Sequence, residues 1–149
     1  MKIYLDTCSI QRPLDDKTQL RVAIESEAIF GILFLIESGK IELISSEVLL
    51  FEASKISNVF RKDYNLGVLS KSNIFVKINN SIERRARDII KMGINPLDAL
   101  HLSSAENAKA DYFCTCDDKL LKKARSIENI KVKIVTPLDF PNSTSKCNE

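Results

Sequence analysis

Apolar residues in this chain switch between two spacings. Short β-prone runs alternate with longer stretches in which apolar residues recur every three or four positions. Lys2-Ile3-Tyr4-Leu5 reads as a first strand that stops abruptly at Asp6-Thr7-Cys8-Ser9. Pro13 and the pair Asp15-Asp16 mark a loop. From about Thr18 to Ser38, the residues Leu20, Ala23, Ile24, Ala28, Ile29, Ile32, Leu33 and Ile36 fall at helical spacing, and Gly39 supplies a stop. Residues 29–36 are apolar nearly all round, so this helix is expected to be buried on more than one side. Core packing accounts for that; the sharper reading is an interface with a second copy of the chain.

Residues 41–44 read as a second strand, and Ser45-Ser46 as the cap of a helix carrying Leu49, Leu50 and Ala53. Asn65-Leu66-Gly67 breaks the helical patch that follows. Residues 74–78 read as a third strand and 81–92 as a helix closed by Gly93. Asn95-Pro96 opens a helix over 97–108, with proline in the first turn, where its missing N–H costs least. A fourth strand over 112–116, a helix over 118–126 and a fifth strand over 132–135, stopped by Pro137, complete the pattern. This alternation predicts an α/β fold with a central parallel sheet of four or five strands, covered on both faces. The domain spans residues 1–140; 141–149 form a polar tail expected to be flexible.

A chain of 149 residues suits one domain that needs no disulfides to fold. With 44% hydrophobic and 28% charged residues, it is not expected to be largely disordered. No apolar run approaches the roughly 20 residues of a membrane span, and Asp6 interrupts the first apolar stretch, against a secretory signal. Net charge is +2, from 22 basic and 20 acidic residues, too balanced to point to nucleic acid by itself. Cys8, Cys114, Cys116 and Cys147 are scattered. Without a second Cys or His pair they make no zinc set, so reduced thiols in a cytoplasmic protein are the expectation.

The acids carry more information. In a parallel sheet, ligands gather at the carboxyl ends of the strands. Asp6 follows the first strand directly and Asp117 the fourth, with Asp118 beside it. Asp98 opens the helix just upstream of that fourth strand, and Glu52 lies in the helix after the second strand, six residues past Ser46. Singly, each has a plain explanation as a helix or turn cap or a solvated charge. Together, four carboxylates would repel strongly enough to require protons or cations. An all-oxygen set suits Mg²⁺ or Mn²⁺ rather than zinc.

These residues sit in four blocks: "KIYLDTCS", "SSEVLLFE", "GINPLDALHLSSA" and "ADYFCTCDDKLLKKA". In order and spacing they resemble the signature blocks of the PIN domain family, over about residues 2–138. The resemblance implies a Rossmann-like α/β/α sandwich and a Mg²⁺- or Mn²⁺-dependent ribonuclease. Many small members are similar to the VapC type of toxin, so it also implies an RNA substrate, an antitoxin partner and a homodimer. By block position, Asp6, Glu52, Asp98 and Asp117 match the family's metal-holding catalytic acids. Thr115 matches its hydroxyl position, with Thr7 or Ser9 in support. Glu47 stands as an alternative to Glu52, and Asp118 as an alternative or support to Asp117.

Phosphate recognition also needs cations. Arg84, Arg85, Arg87 and Lys91 cluster before Asp98; Lys119, Lys122, Lys123 and Arg125 follow Asp117; Arg12 lies close after Asp6. Each group reads either as a solvated face or as an RNA contact. His101, the only histidine, lies three residues after Asp98 and is a candidate acid or base, although a metal-bound water leaves no obvious need for one. Two other function classes compete. One is a weak or inactive PIN-like module that binds RNA or protein. The other is a phosphoryl-transfer domain, which fits poorly: Cys8 stands where a haloacid-dehalogenase-type phosphatase would want a second Asp, and the last strand leads into Pro137 rather than the site Lys of a receiver.

Overall fold

The computed structural model describes residues 1–140; the tail anticipated beyond Phe140 lies outside the described residues. The elements in chain order are β1 (Lys2–Leu5), α1 (Thr7–Gln11), a 3₁₀ turn (Arg12–Leu14), α2 (Leu20–Glu37), β2 (Glu42–Ser46), α3 (Glu47–Ser54), α4 (Val59–Leu69), β3 (Ile74–Val76), α5 (Asn80–Lys91), α6 (Pro96–Asn107), β4 (Tyr112–Cys114), α7 (Asp118–Arg125) and β5 (Lys133–Val135). All five strands run parallel in the order β3-β2-β1-β4-β5. The strands are apolar because both faces of the sheet are covered: Ile3, Tyr4, Leu5, Leu43, Ile44 and Phe113 are fully buried. The predicted sheet is therefore present, with five strands.

The order carries a functional consequence. From β1 the chain winds outward through β2 to β3, then crosses back through α5 and α6 to β4 on the other side of β1. The direction of winding reverses between β1 and β4, where a cleft opens at their carboxyl ends. Leu5 pairs with Cys114 in register, so Asp6 and Thr115 leave the sheet side by side.

Three local expectations are corrected, and one unpredicted element is added. Thr7–Gln11 forms a short helix, α1, capped by the Asp6 carboxylate, which accepts from Ser9 N–H at 3.0 Å; a five-residue helix has too little apolar period to be seen. Helix α4 runs through Asn65-Leu66-Gly67, because buried Asn65 takes a 2.9 Å hydrogen bond from Gln11 in place of breaking the helix. Strand β3 stops at Val76; beyond it, Ile78 N–H is taken by the Glu47 carboxylate at 2.9 Å rather than by a strand. Strand β4 stops at Cys114, leaving Thr115 and Cys116 as the approach to the cleft.

Helix α2 departs from its expectation more tellingly. Ile29, Ile32 and Ile36 are buried against the sheet, but Phe30 and Phe34 are 48% and 70% exposed. It is buried on one side, not on several. Leu20 and Ile24 on the same helix, Leu50 and Phe51 on α3, and Val59 and Phe60 on α4 are also exposed. No helix among the described residues is long and apolar enough to cross a membrane.

Candidate active site

Three of the four predicted acids owe their position to a helix start. Asp6 N-caps α1 and is 6% exposed. Asp117 N-caps α7, accepting from Lys119 N–H at 3.0 Å and Leu120 N–H at 3.2 Å, and is exposed. Asp98 stands in the first turn of α6 behind the Asn95 cap, whose side-chain amide donates to Asp98 Oδ2 at 2.7 Å. Gly93, at φ +103°, turns the chain out of α5 to present Asn95 there. Glu52 projects from the last half of α3.

Asp6, Asp98 and Asp117 share the end of the sheet where β1 and β4 part. Thr115, fully buried, bridges two of them: its hydroxyl accepts from Asp117 N–H at 3.0 Å and hydrogen-bonds the Asp6 carboxylate. Cys8 donates to Asp6 Oδ1 at 3.1 Å. Burial pushes the Asp6 carboxyl above the ordinary range against these bonds from Thr115, Cys8 and Ser9 N–H. Burial also raises Asp98, against its bond from Asn95, and the charges of Asp6 and Asp117 push it further the same way. A cavity of ≈ 390 Å³ adjoins the acids, lined by Asp98, Asp117, Asn95, Lys119, Lys123 and Leu120 among others.

Glu52 occupies a different setting. Its Oε1 accepts from Thr7 Oγ1 at 2.6 Å and lies 2.5 Å from Nε2 of His101. Burial would raise this carboxyl, but the bond and charge of His101 and the Thr7 hydroxyl outweigh it and hold Glu52 below the ordinary range. His101 is 1% exposed, and its Nδ1 lies 2.6 Å from the Tyr4 hydroxyl, itself 2.7 Å from Ser46 Oγ. Burial keeps the Tyr4 phenol strongly protonated. The sequence signals for this chain of contacts were one histidine three residues past Asp98 and a short apolar strand, which give no hint that Tyr4 and His101 meet.

The supporting candidates separate. Thr7 touches Glu52, and Ser9 touches Asp6 through its N–H while its hydroxyl donates to Cys114 O at 3.1 Å. Glu47 caps the segment after β3, and Asp118 is exposed and held by Arg21 through two bonds of 2.6 and 2.7 Å. Arg12 turns inward to buried Glu25 at 2.7 Å and to Asp15 at 3.2 Å. Arg85 pairs with Glu106 at 2.7 Å on the wall of another cavity, of ≈ 410 Å³. Arg84 is exposed on α5, and Lys119 lines the cavity beside the acids.

The donor chemistry at the cleft fits a hard divalent cation. All its carboxylates are oxygen donors, Asp98 is burdened by two like charges, and Glu52 has both its bonds on Oε1, leaving Oε2 open. Among the described residues, no three such side chains stand in a group ready to hold one ion, so the acids adjoin one another without closing on a single point.

The sequence profile of the PIN domain matches residues 3–126. The chain belongs to the PIN domain family. PIN domains are generally nucleases that use divalent metal ions. Three solved structures share this PIN fold across nearly their whole length. The FitAcB structure from Neisseria gonorrhoeae matches at a TM-score of 0.58 and 17% identity, covering 91% of this chain and 98% of that one. VapBC2 from Rickettsia felis, bound to a DNA fragment from its promoter, matches at 0.57 and 14%, with 91% and 98% covered. VapBC-1 from nontypeable Haemophilus influenzae matches at 0.58 and 14%, with 93% and 99% covered. No curated protein matches the sequence.

Proposed function

We propose that this PIN domain is a metal-dependent endoribonuclease acting at the cleft between β1 and β4, in the manner of the toxin of a toxin–antitoxin pair. The observation that supports the reading is that Asp6, Asp98 and Asp117, far apart in sequence, stand at the same end of the sheet, with Asp98 and Asp117 on the wall of one cavity. Asp6, Asp98 and Asp117 would hold the ion, with Glu52 contributing its open Oε2. When bound, Mg²⁺ or Mn²⁺ supplies Lewis-acid offset of the charge on a phosphodiester and activation of a water for in-line attack.

The chain's own groups do the rest. Thr115 and Cys8 orient the Asp6 carboxylate, and Asn95 orients that of Asp98. Lys119 and Lys123, beside the acids, offer cations for the RNA backbone, and exposed Arg84 extends the basic surface along α5. Arg12 and Arg85 spend their charge on Glu25 and Glu106, and serve the fold before they serve RNA. The free thiols of Cys8, Cys114 and Cys116 suit a reducing, cytoplasmic setting.

The exposed apolar side chains of α2, α3 and α4 support the partner side of the reading. Phe34, Val59 and Phe60 are each at least 70% exposed. Aromatic residues left in water at this density mark a protein–protein surface. We assign it to a second copy of the chain and to an antitoxin.

The test is cleavage of RNA by the purified chain. Cleavage that needs Mn²⁺ or Mg²⁺, stops with chelator and is lost in Asp6→Asn and Asp98→Asn chains that remain folded is the expected result. Unchanged cleavage in both variants overturns the assignment. The binding-module reading draws on the open arrangement of the acids; a Mn²⁺ titration showing no site would favour it.

A further inference from the structure

The Ser46–Tyr4–His101–Glu52–Thr7 chain of contacts has no place in ordinary core packing. Each member comes from a different element: Ser46 ends β2, Tyr4 is in β1, His101 in α6, Glu52 in α3 and Thr7 in α1. Each step is 2.5–2.7 Å. Ser46, Tyr4 and His101 are essentially inaccessible to water. Buried polar groups are kept at a cost unless every one is satisfied.

The direction of the bonds at Glu52 follows from what each group can donate. An ionised carboxylate only accepts, so Thr7 O–H and His101 Nε2–H both donate to Glu52 Oε1. With a neutral ring Nδ1 accepts from Tyr4 O–H, and with a protonated ring it donates to the Tyr4 oxygen; in both, Nε2–H points at Glu52. The Ser46 and Tyr4 hydroxyls share a 2.7 Å hydrogen bond. The Ser46 oxygen accepts from Leu49 N–H at 3.1 Å, which starts α3, the helix that carries Glu52. The chain of contacts closes on the helix whose carboxylate it holds.

The consequence is geometric. Both donors converge on Oε1, so the carboxylate plane is fixed and Oε2 is the oxygen left to act. Thr7 lies one residue after Asp6, and His101 one helical turn after Asp98. The two groups that clamp Glu52 are therefore built on the same elements as two of the other acids.

We propose that His101, oriented by Tyr4, is a positioning residue that presents Glu52 Oε2 to a divalent cation held with Asp6, Asp98 and Asp117. This rests on the metal-dependent reading above and gives its one histidine a task outside the chemical step. A residue that orients a ligand in this way typically changes metal affinity 10–100-fold, roughly, when lost.

Mn²⁺ binding to the full chain, measured by calorimetry or by the electron paramagnetic resonance of the free ion, provides the test. His101→Leu removes the clamp; Tyr4→Phe removes only a hydroxyl and keeps the ring stacked on Phe113 at 5.3 Å. His101→Gln restores a donor to Oε1. We expect affinity to fall by at least about tenfold in His101→Leu, to fall less in Tyr4→Phe and to recover in part in His101→Gln. In a Glu52→Gln background, which retains three aspartates, the first two changes should lose most of their effect. Loss of equal size in both backgrounds, or affinity unchanged by His101→Leu and Tyr4→Phe alike, overturns the inference while leaving the metal site standing. A wild-type chain that takes up no Mn²⁺ overturns the metal reading and the inference together. Should His101→Leu fail to fold, Tyr4→Phe and His101→Gln decide the matter by themselves.

Discussion

Asp6 and Asp117 lie just past the carboxyl ends of the neighbouring parallel strands β1 and β4, and each carboxylate accepts backbone N–H from the helix that follows. The same two carboxylates thus serve as caps and, in the proposed function, as metal ligands. Asparagine caps a helix about as well as aspartate, so the roles can be separated. Asp6→Asn and Asp117→Asn should keep the fold, with stability changed by no more than about 1 kcal/mol. RNA cleavage should fall by two orders of magnitude or more, about 3 kcal/mol in the barrier. Circular dichroism melts beside cleavage rates check both halves; a rate that survives both changes removes these acids from the reaction.

Asp98 pays for its position in stability. Its carboxyl is raised, first by burial and then by Asp6 and Asp117. A raised carboxyl holds its proton more tightly folded than unfolded. Its contribution is complete below the unfolded value of about 3.9 and is lost as pH rises through the folded one. Without metal, Asp98→Asn should therefore be more stable than wild type at neutral pH. The gap should shrink at pH 4, and added Mn²⁺ should stabilise wild type but not the variant. Urea midpoints at two pH values, with and without chelator, measure this. A variant less stable than wild type at pH 7 would show the charge to be well tolerated.

The positions of three of the four acids in the fold were legible because these acids stand at sequence landmarks. A strand followed at once by Asp gives Asp6 and Asp117, and Asn-Pro-Leu-Asp announces a helix start at Asp98. Parallel order was legible from the alternation of strands and helices, for a parallel strand needs a crossover. The short α1 was not, since five residues carry no period. Nor was the inward turn of Arg12 and Arg85, because ion pairs to Glu25 and Glu106 form across 13 and 21 residues and leave no local trace. His101 and Tyr4 illustrate the same limit: 97 residues separate them, and only the β1–α6 packing brings their polar atoms together.

Glu25 tests the structural side of the arginines. It is 1% exposed and accepts from Arg12 at 2.7 and 2.9 Å, with Arg21 at 3.4 Å. Removing it leaves the guanidinium of Arg12, partly buried, with Asp15 alone. Glu25→Ala should cost about 2–3 kcal/mol, discounted from a fully buried pair because Arg12 keeps some water. A denaturant midpoint unmoved by the change would instead mean that Arg12 is free to turn outward, which would restore it as a contact for RNA.

The apolar face of α2 makes the last prediction. Phe30 and Phe34 are one helical turn apart on the side away from the sheet, where Ile29 and Ile32 anchor the helix. Changing both to Lys removes no core contact, so the monomer fold should hold, within about 0.5 kcal/mol per site. If a second copy of the chain covers this face, two charges per protomer in a desolvated interface are prohibitive. The variant should run as a monomer by sedimentation or light scattering at concentrations where the wild type is dimeric. A wild-type chain that is monomeric throughout leaves the face to a different partner, and a variant that still dimerises places the dimer contact on α3 and α4, at Phe51, Val59 and Phe60.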